Sequence, residues 1–176
     1  MELTEKTLSK KEIYDGKIVH LHVDEVELPD GRKSVREVVD HVDGVCIAAE
    51  NEQGELMFVR QYRYPCAKVV LELPAGKLEP GEDPMECAKR ELLEETGAIS
   101  DHFIYLGKVY ASPGFCNEAI HLYYTRIKEM GEMQPDDGEF LNVETIGVEK
   151  AVQMCVDGTI EDAKTVSALL KVMFVR

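Results

Sequence analysis

Three glutamates, Glu91, Glu94 and Glu95, stand close together in the sequence. On a helix, at about 100° per residue, Glu94 and Glu95 lie about 60° behind and about 40° ahead of Glu91, so the carboxylates share one face. Like charges at this spacing destabilise an isolated helix by about 0.2–0.5 kcal/mol per close pair. A divalent cation that prefers oxygen ligands, Mg²⁺ or Mn²⁺ more than Zn²⁺, could compensate this repulsion. A solvated acidic face is the alternative.

The residues around the three glutamates predict the helix that positions them. Asp83 can cap its start with Pro84 at the first helical position, and Gly97 can end it. Ala88, Leu92 and Leu93 then form the apolar stripe that faces the core.

Short strands are predicted on both sides of this helix. An antiparallel hairpin is expected first, from residues 18–28 and 33–41 around the turn at 29–31. Further strands are predicted at residues 45–49, 56–59, 69–73, 103–110, 120–126 and 143–146, and helices at 149–156 and 161–174.

The length and composition favour one folded unit of the α+β class. The chain has 176 residues, of which 44% are hydrophobic, and it shows no repeat or linker. Within that unit we expect an N-terminal β region over residues 1–42 and a second region over 43–176. Because the N-terminal strands look too exposed to stand alone, we predict a homodimer in which they cross to the partner.

Charge and cysteine content restrict the function. The net charge of −14 disfavours nucleic-acid binding, because a phosphate backbone would be repelled over most of the surface. No apolar run approaches the roughly 20 residues that cross a membrane, and the first residues do not resemble a signal peptide, so a cytoplasmic protein is expected. The odd number of cysteines, without a CxxC pair, predicts free thiols in a reducing compartment: Cys46, Cys66, Cys87, Cys116 and Cys155.

Seven residues of the glutamate segment form the pattern G-x5-E-x7-R-E-U-x-E-E-x-G-U, which resembles the box of the Nudix hydrolases. With this chain's composition, a chance match has a probability on the order of 10⁻⁵. Ala98 departs from the pattern, since a larger aliphatic residue is usual there. The matching residues are Gly76, Glu82, Arg90, Glu91, Glu94, Glu95 and Gly97.

This resemblance implies a Nudix-type α/β/α sandwich with a mixed sheet, in which the box helix lies between sheets and holds metal ions against a diphosphate. Glu91, Glu95 and the backbone carbonyl of Ala75 are the implied metal ligands, with Mg²⁺ as the expected ion and Mn²⁺ as a substitute.

The resemblance also implies roles for the remaining residues of the box. Glu94 is implied to be a further metal ligand or a partner of the ligands. Arg90 is implied to orient the glutamates by charge-assisted hydrogen bonds. Together with the loop base, these two residues are the expected catalytic residues. Glu82 fixes the loop to the helix, and Gly76 and Gly97 are structural.

Four blocks outside the box are similar to the ADP-ribose pyrophosphatases, a subgroup of the family. They are residues 59–65, 71–76, 112–115 and 136–140, and Pro113 follows Gly97 by the sixteen residues typical of that subgroup. The resemblance then implies that Arg63 clamps the diphosphate, that Glu72 lies in the substrate pocket, and that Ser112 and Pro113 contact the substrate. Arg36 could stack on the adenine.

The acidic loop at residues 134–139 is implied to supply the carboxylate that activates water. Glu139 is the expected base, with Asp137 as the alternative. The implied reaction is the hydrolysis of ADP-ribose to AMP and ribose 5-phosphate.

Two alternatives stay open. One is a Nudix pyrophosphatase for another nucleoside diphosphate, such as GDP-mannose or another nucleotide sugar, FAD or NADH. The other is a module that binds ADP-ribose without cleaving it, although such modules usually lose box glutamates that are present here.

Overall fold

The computed structural model describes residues 2–176, which form two compact units. The first unit contains residues 2–42 together with Tyr110–Ala119. The second contains Asp43–Val109 and Ile120–Arg176. No local sequence signal predicts that Tyr110–Ala119 packs with the N-terminal strands.

The first unit is a three-stranded antiparallel sheet with the strand order β1-β2-β3. The strands are β1 (Lys6–Asp15), β2 (His20–Glu27) and β3 (Lys33–Asp40). The predicted hairpin is confirmed, since β2 and β3 pair from His20 opposite Asp40 to Glu27 opposite Lys33. Every residue of β1 is exposed. The segment Tyr110–Ala119 bonds to this sheet, because the N–H of Val39 donates to the carbonyl of Phe115 at 2.7 Å.

The second unit is built on a seven-stranded mixed sheet. Its main path is β12-β5-β4-β10-β9, with β6 paired to β5 and β7 paired to β4. The pair β4 and β10 is parallel, and β5 pairs antiparallel with β12, β4 and β6, as β4 does with β7. The strands are β4 (Gly44–Glu50), β5 (Glu55–Arg63), β6 (Lys68–Glu72), β7 (Ala75–Lys77), β9 (Phe103–Tyr110), β10 (Ala119–Arg126) and β12 (Leu141–Gly147), while β8 (Ala98–Ile99) pairs with β11 (Glu129–Met130) apart from the sheet.

Strand β4 is buried along its whole length because helices cover both of its faces. Cys46 and Ala48 face a core that includes the helices α2 (Val148–Val156) and α3 (Ala163–Val172). Val45, Ile47 and Ala49 face the other core, which includes the helix α1 (Pro84–Thr96). A strand covered on both sides reads as a continuous apolar run rather than an alternating one.

Helix α1 begins and ends where its sequence predicts. The side chain of Asp83 accepts a hydrogen bond from the N–H of Met85 at 2.9 Å, and Gly97 closes the helix with a φ of 73°. This left-handed conformation favours glycine. The predicted apolar stripe needs one correction: Ala88 and Leu92 are buried, but Leu93 is only half-buried, and Cys87 takes the third core position.

Helix α3 is shorter than predicted. It begins at Ala163 because Asp162 acts as its cap, where the side chain accepts from the N–H of Thr165 at 3.0 Å. The α/β/α arrangement and the mixed sheet are confirmed, as are the five free cysteines. Of these, Cys66 is exposed and lies in a 3₁₀ turn (Tyr64–Cys66) between β5 and β6. Within residues 2–176, no helix is long and apolar enough to span a membrane.

Candidate active site

The site begins at β7, which brings the backbone of Ala75 and Gly76 against helix α1. Ala75 pairs with Cys46 and Gly76 with Val45 on the buried strand β4. A Cβ atom at Gly76 would lie 1.9 Å from the carboxyl carbon of Glu91. Only glycine therefore allows the Glu91 carboxylate to approach this strand so closely.

Arg90 connects three of the carboxylates in the box. Its Nη1 donates to Glu91 Oε1 at 2.8 Å and to Glu94 Oε2 at 2.9 Å. Its Nε and Nη2 donate to the two oxygens of Glu82, each at 2.9 Å. This geometry agrees with an orienting role for Arg90 and with a link from the loop to the helix through Glu82.

Glu82 also holds the loop that precedes the helix. Its Oε2 accepts a hydrogen bond from the N–H of Glu79 at 2.9 Å. The hydrogen bonds from Arg90 lower the pKa of Glu82 to about 2, so this carboxylate stays ionised at neutral pH.

Glu95 is one of the most buried charged side chains, with 3% of its surface exposed. Its Oε2 accepts a hydrogen bond from the N–H of Ala75 at 2.9 Å. Burial raises the pKa of Glu95 to about 8, and the negative charges of Glu91 and Glu139 add to this effect while the Ala75 N–H opposes it. The carboxylate is therefore short of positive charge.

Glu91 also lacks positive charge around it, although less than Glu95 does. Burial raises its pKa to about 7 against the opposing effect of Arg90, and the charges of Glu94 and Glu139 raise it further. Raised carboxylate pKa values in a buried group of like charges are typical of functional sites.

The acidic loop lies beside the end of helix α1. The N–H of Gln134 donates to the carbonyl of Glu94 at 3.0 Å, and the N–H of Gly131 donates to the carbonyl of Gly97 at 2.6 Å. These bonds bring the loop to the box, and Glu139 is close enough for its charge to affect both Glu91 and Glu95. Glu139 also borders a cavity of about 290 Å³, whose lining is Met133, Pro135, Glu139, Phe140, Leu141 and Asn142.

The oxygen donors of the box suit a hard divalent cation. Buried carboxylates with raised pKa values repel one another when they are ionised, and a bound cation would remove this repulsion. Within residues 2–176, no group of three or more His, Cys, Asp or Glu side chains is arranged so that it could hold a metal ion. One oxygen of Glu91 accepts from Arg90, and one oxygen of Glu95 accepts from Ala75. The donor chemistry fits, and the third implied ligand is a backbone carbonyl rather than a side chain.

Arg63 and Glu72, both predicted as substrate contacts, form a bidentate ion pair. Arg63 Nε lies 2.6 Å from Glu72 Oε1, and Arg63 Nη2 lies 2.7 Å from Glu72 Oε2. The structure adds a residue that sequence reasoning missed, Lys164, whose Nζ also donates to Glu72 Oε2. The cap at Asp162 places Lys164 in the first turn of α3, but no local signal pairs it with a strand 92 residues away.

Three predicted substrate residues belong to the first unit, namely Arg36, Ser112 and Pro113. Arg36 pairs with Glu5, with Arg36 Nε 2.9 Å from Glu5 Oε2. The carbonyl of Ser112 accepts from the N–H of Cys116 at 2.9 Å, which closes the turn around Pro113. Their contacts with substrate stay predictions.

Comparison with protein families identifies the box. Residues 40–169 match the NUDIX domain, and residues 5–39 match the nucleoside diphosphate sugar hydrolase N-terminal domain. The chain belongs to the Nudix family. The resemblance noted from its motif is thereby confirmed, and Nudix hydrolases use divalent metal ions.

The curated relatives of this Nudix chain carry more than one name. It is 38% identical over 171 residues to an ADP-ribose pyrophosphatase of Bacillus subtilis, covering 95% of this chain and 91% of that protein. It is 41% identical over 167 residues to a methanol dehydrogenase activator of Bacillus methanolicus, covering 94% and 90% of the two chains. A GDP-mannose pyrophosphatase of Yersinia enterocolitica is 32% identical over 147 residues, covering 78% and 76%.

A solved structure supports the Nudix fold. The crystal structure of an ADP compounds hydrolase aligns with a TM-score of 0.87 and 21% sequence identity, covering 98% of this chain and 95% of that chain. The similarity confirms the predicted fold class over nearly the whole length.

Proposed function

We propose that this protein hydrolyses ADP-ribose to AMP and ribose 5-phosphate with the help of a divalent cation. The observation that carries the proposal is the 38% identity to an ADP-ribose pyrophosphatase over 95% of the chain. The site agrees with it chemically, because buried box glutamates, an arginine and a loop carboxylate provide what diphosphate hydrolysis needs.

Mg²⁺ is the proposed ion, with Mn²⁺ as a substitute. Glu91, Glu95 and the carbonyl of Ala75 would hold it, with Glu94 as a further ligand or partner. A bound ion offsets the charge of the diphosphate, polarises its phosphorus–oxygen bonds and lowers the pKa of the attacking water.

The remaining roles belong to residues of the loop and the sheet. Glu139, or Asp137 in its place, accepts a proton from the attacking water or orients it. The water oxygen bonds to one phosphorus, the bridging bond of the diphosphate breaks, and each product leaves with one phosphate. Arg63 binds the diphosphate oxygens with its planar donors.

The test is product analysis of the purified protein with Mg²⁺ and equal amounts of ADP-ribose, GDP-mannose, FAD and NADH. We expect AMP and ribose 5-phosphate to dominate. Preferred cleavage of GDP-mannose, FAD or NADH would overturn the substrate assignment and leave the metal site standing. If none of the four is cleaved, the hydrolase proposal fails, and binding of ADP-ribose without cleavage becomes the explanation to test.

We also propose that the protein is a homodimer joined through the N-terminal sheet. This sheet exposes apolar side chains that a monomer would leave in water, including Ile13, Tyr14 and Val35. Light scattering should give twice the chain mass of 19.8 kDa. A monomeric mass at micromolar concentration would refute the proposal.

A further inference from the structure

The start of helix α3 holds a lysine that the proposed reaction leaves unexplained. The side chain of Lys164 is only 12% exposed. Its Nζ donates to Glu72 Oε2 and, at 3.0 Å, to Asp162 Oδ1. A lysine is rarely buried to this extent unless it is paired, so its position is determined by these two carboxylates.

The position of Lys164 is fixed by the cap of its own helix. Asp162 Oδ2 accepts hydrogen bonds from the N–H of Thr165 at 3.0 Å and from its Oγ1 at 2.6 Å. Thr165 Oγ1 in turn accepts from the N–H of Leu73 at 2.9 Å. The first turn of α3 is thus tied to the residue directly after Glu72, which holds the ammonium group against that carboxylate.

When a substrate is bound, Glu72 and the diphosphate compete for the guanidinium of Arg63. Its guanidinium is bound to Glu72 through two donors, although 40% of the Arg63 side chain is exposed and can reach a ligand. Glu72 is only 2% exposed. If Arg63 were its sole counter-ion, turning the guanidinium toward a diphosphate would leave a buried charge unpaired, which is costly.

We infer that Lys164 is a positioning residue for diphosphate hydrolysis: it neutralises Glu72 so that Arg63 can exchange this carboxylate for the substrate's diphosphate. The inference rests on the proposed function, because it assigns Arg63 to the substrate. Burial opposes the ionisation of Glu72, yet the bonds from Arg63 and Lys164 together keep its pKa below the ordinary value. Lys164 acts through Arg63 and needs no contact with substrate.

A double-mutant cycle tests the role, with Lys164→Gln, Glu72→Gln and the double variant assayed for KM and kcat. In the wild-type background, Lys164→Gln should raise KM about tenfold, because Glu72 then holds Arg63 more firmly, while kcat stays within about twofold. In the Glu72→Gln background, where Arg63 is already released, the same change should alter KM by less than about twofold.

The control is Lys68→Gln, which removes an exposed lysine from the same strand as Glu72, where it pairs with Glu161, and should leave KM unchanged. If Lys164→Gln fails to fold, as judged by thermal unfolding, Lys164→Met replaces it in the cycle, because this side chain removes the charge and brings no polar group of its own to be buried. An unchanged KM overturns the inference. An equal rise in KM with and without Glu72 also overturns it, because Lys164 would then contact substrate directly or act only through stability.

A binding measurement separates this inference from the proposed function. The probe is the α,β-methylene analogue of ADP-ribose with Mg²⁺, whose dissociation constant is measured by calorimetry across the same cycle. If the wild type cleaves no diphosphate but the dissociation constants show the coupling, the proposed hydrolysis fails, while the role of Lys164 in freeing Arg63 to bind a diphosphate stands. If ADP-ribose is cleaved but the coupling is absent, the role of Lys164 fails and the function stands.

Discussion

Glu72 and Glu95 are two carboxylates of the same unit with almost equal burial, at 2% and 3% exposed, yet their pKa values move in opposite directions. Glu72 has two cations against it, Arg63 and Lys164, and is stabilised as an anion. Glu95 has a backbone N–H and negative neighbours, so the proton is favoured. Burial alone therefore does not decide the charge of a carboxylate, and the supply of counter-charge does.

This difference separates a carboxylate whose charge is balanced by cations of the protein from a site that needs an added cation. The cluster around Glu72 is complete without any ligand. Arg90, the cation that pairs with Glu91, is shared with Glu82 and Glu94, while Glu95 accepts from the backbone N–H of Ala75. Substitutions in and around the box, together with removal of the metal ion, test whether that shortage of positive charge is functional.

Glu91→Gln should have the largest effect. The change removes a proposed metal ligand, and we expect kcat for ADP-ribose to fall about 10³-fold or more. The matched control is Glu86→Gln, an exposed glutamate of the same helix paired with Lys89, which should keep wild-type activity. Steady-state assays at saturating Mg²⁺ measure both. Retained activity in Glu91→Gln would remove this residue from the catalytic group.

Gly76→Ala should destabilise the protein by about 1–3 kcal/mol, because a methyl group would overlap the Glu91 carboxylate. The control Gly147→Ala adds a methyl group where no atom lies within 4 Å and should cost less than about 1 kcal/mol. Urea unfolding of both variants measures the difference. Equal stability losses would mean that the close approach at Gly76 is easily relieved.

Mg²⁺ should stabilise the protein through Glu91 and Glu95. At about ten times its dissociation constant, an ion that binds only the folded state adds about 1.4 kcal/mol. The gain should disappear in Glu95→Gln and persist in Glu72→Gln. Thermal unfolding with Mg²⁺ and after chelation measures this gain in stability. A gain that depends on Glu72 rather than on Glu95 would place the metal ion at the wrong carboxylate for this proposal.

The two carboxylates should give opposite pH dependences of stability in protein freed of metal. The lowered pKa of Glu72 contributes stability above its unfolded pKa of 4.5, which is lost as the pH falls through the folded value. The raised pKa of Glu95 contributes stability below 4.5, which is lost as the pH rises through about 8.

The two glutamine variants should therefore flatten different ends of the plot of stability against pH. Glu72→Gln should flatten the acidic end, and Glu95→Gln should flatten the alkaline end. Urea unfolding between pH 3 and pH 9 would measure both slopes. Parallel profiles for the two variants would mean that counter-charge does not distinguish the two sites.

Local signals were sufficient to predict helix α1 and its carboxylates. Asp83, Pro84 and Gly97 fix the bounds of the helix through short-range geometry, and the spacing of Glu91 and Glu95 needs only the helical period. The prediction was wrong at Leu93 because it used only local signals. The sheet that packs against the helix decides which side chain fills the third core position.

Contacts between distant parts of the chain could not be predicted in this way. Lys164 meets Glu72 only after α3 packs beside β6, and Tyr110–Ala119 joins the N-terminal sheet through bonds to Val39. The pairing of Arg36 with Glu5 likewise depends on how β1 lies on β2. A single sequence carries no periodic or capping signal for such pairs.

The exposed thiol of Cys66 gives this protein a ready attachment point for a spectroscopic probe. Cys46 and Cys87 are buried and Cys116 and Cys155 are partly covered, so a maleimide dye should react first at Cys66. That residue follows Arg63 by three positions, in the turn that ends strand β5. A dye placed there would test in real time, without any engineered cysteine, whether Arg63 moves when a diphosphate binds.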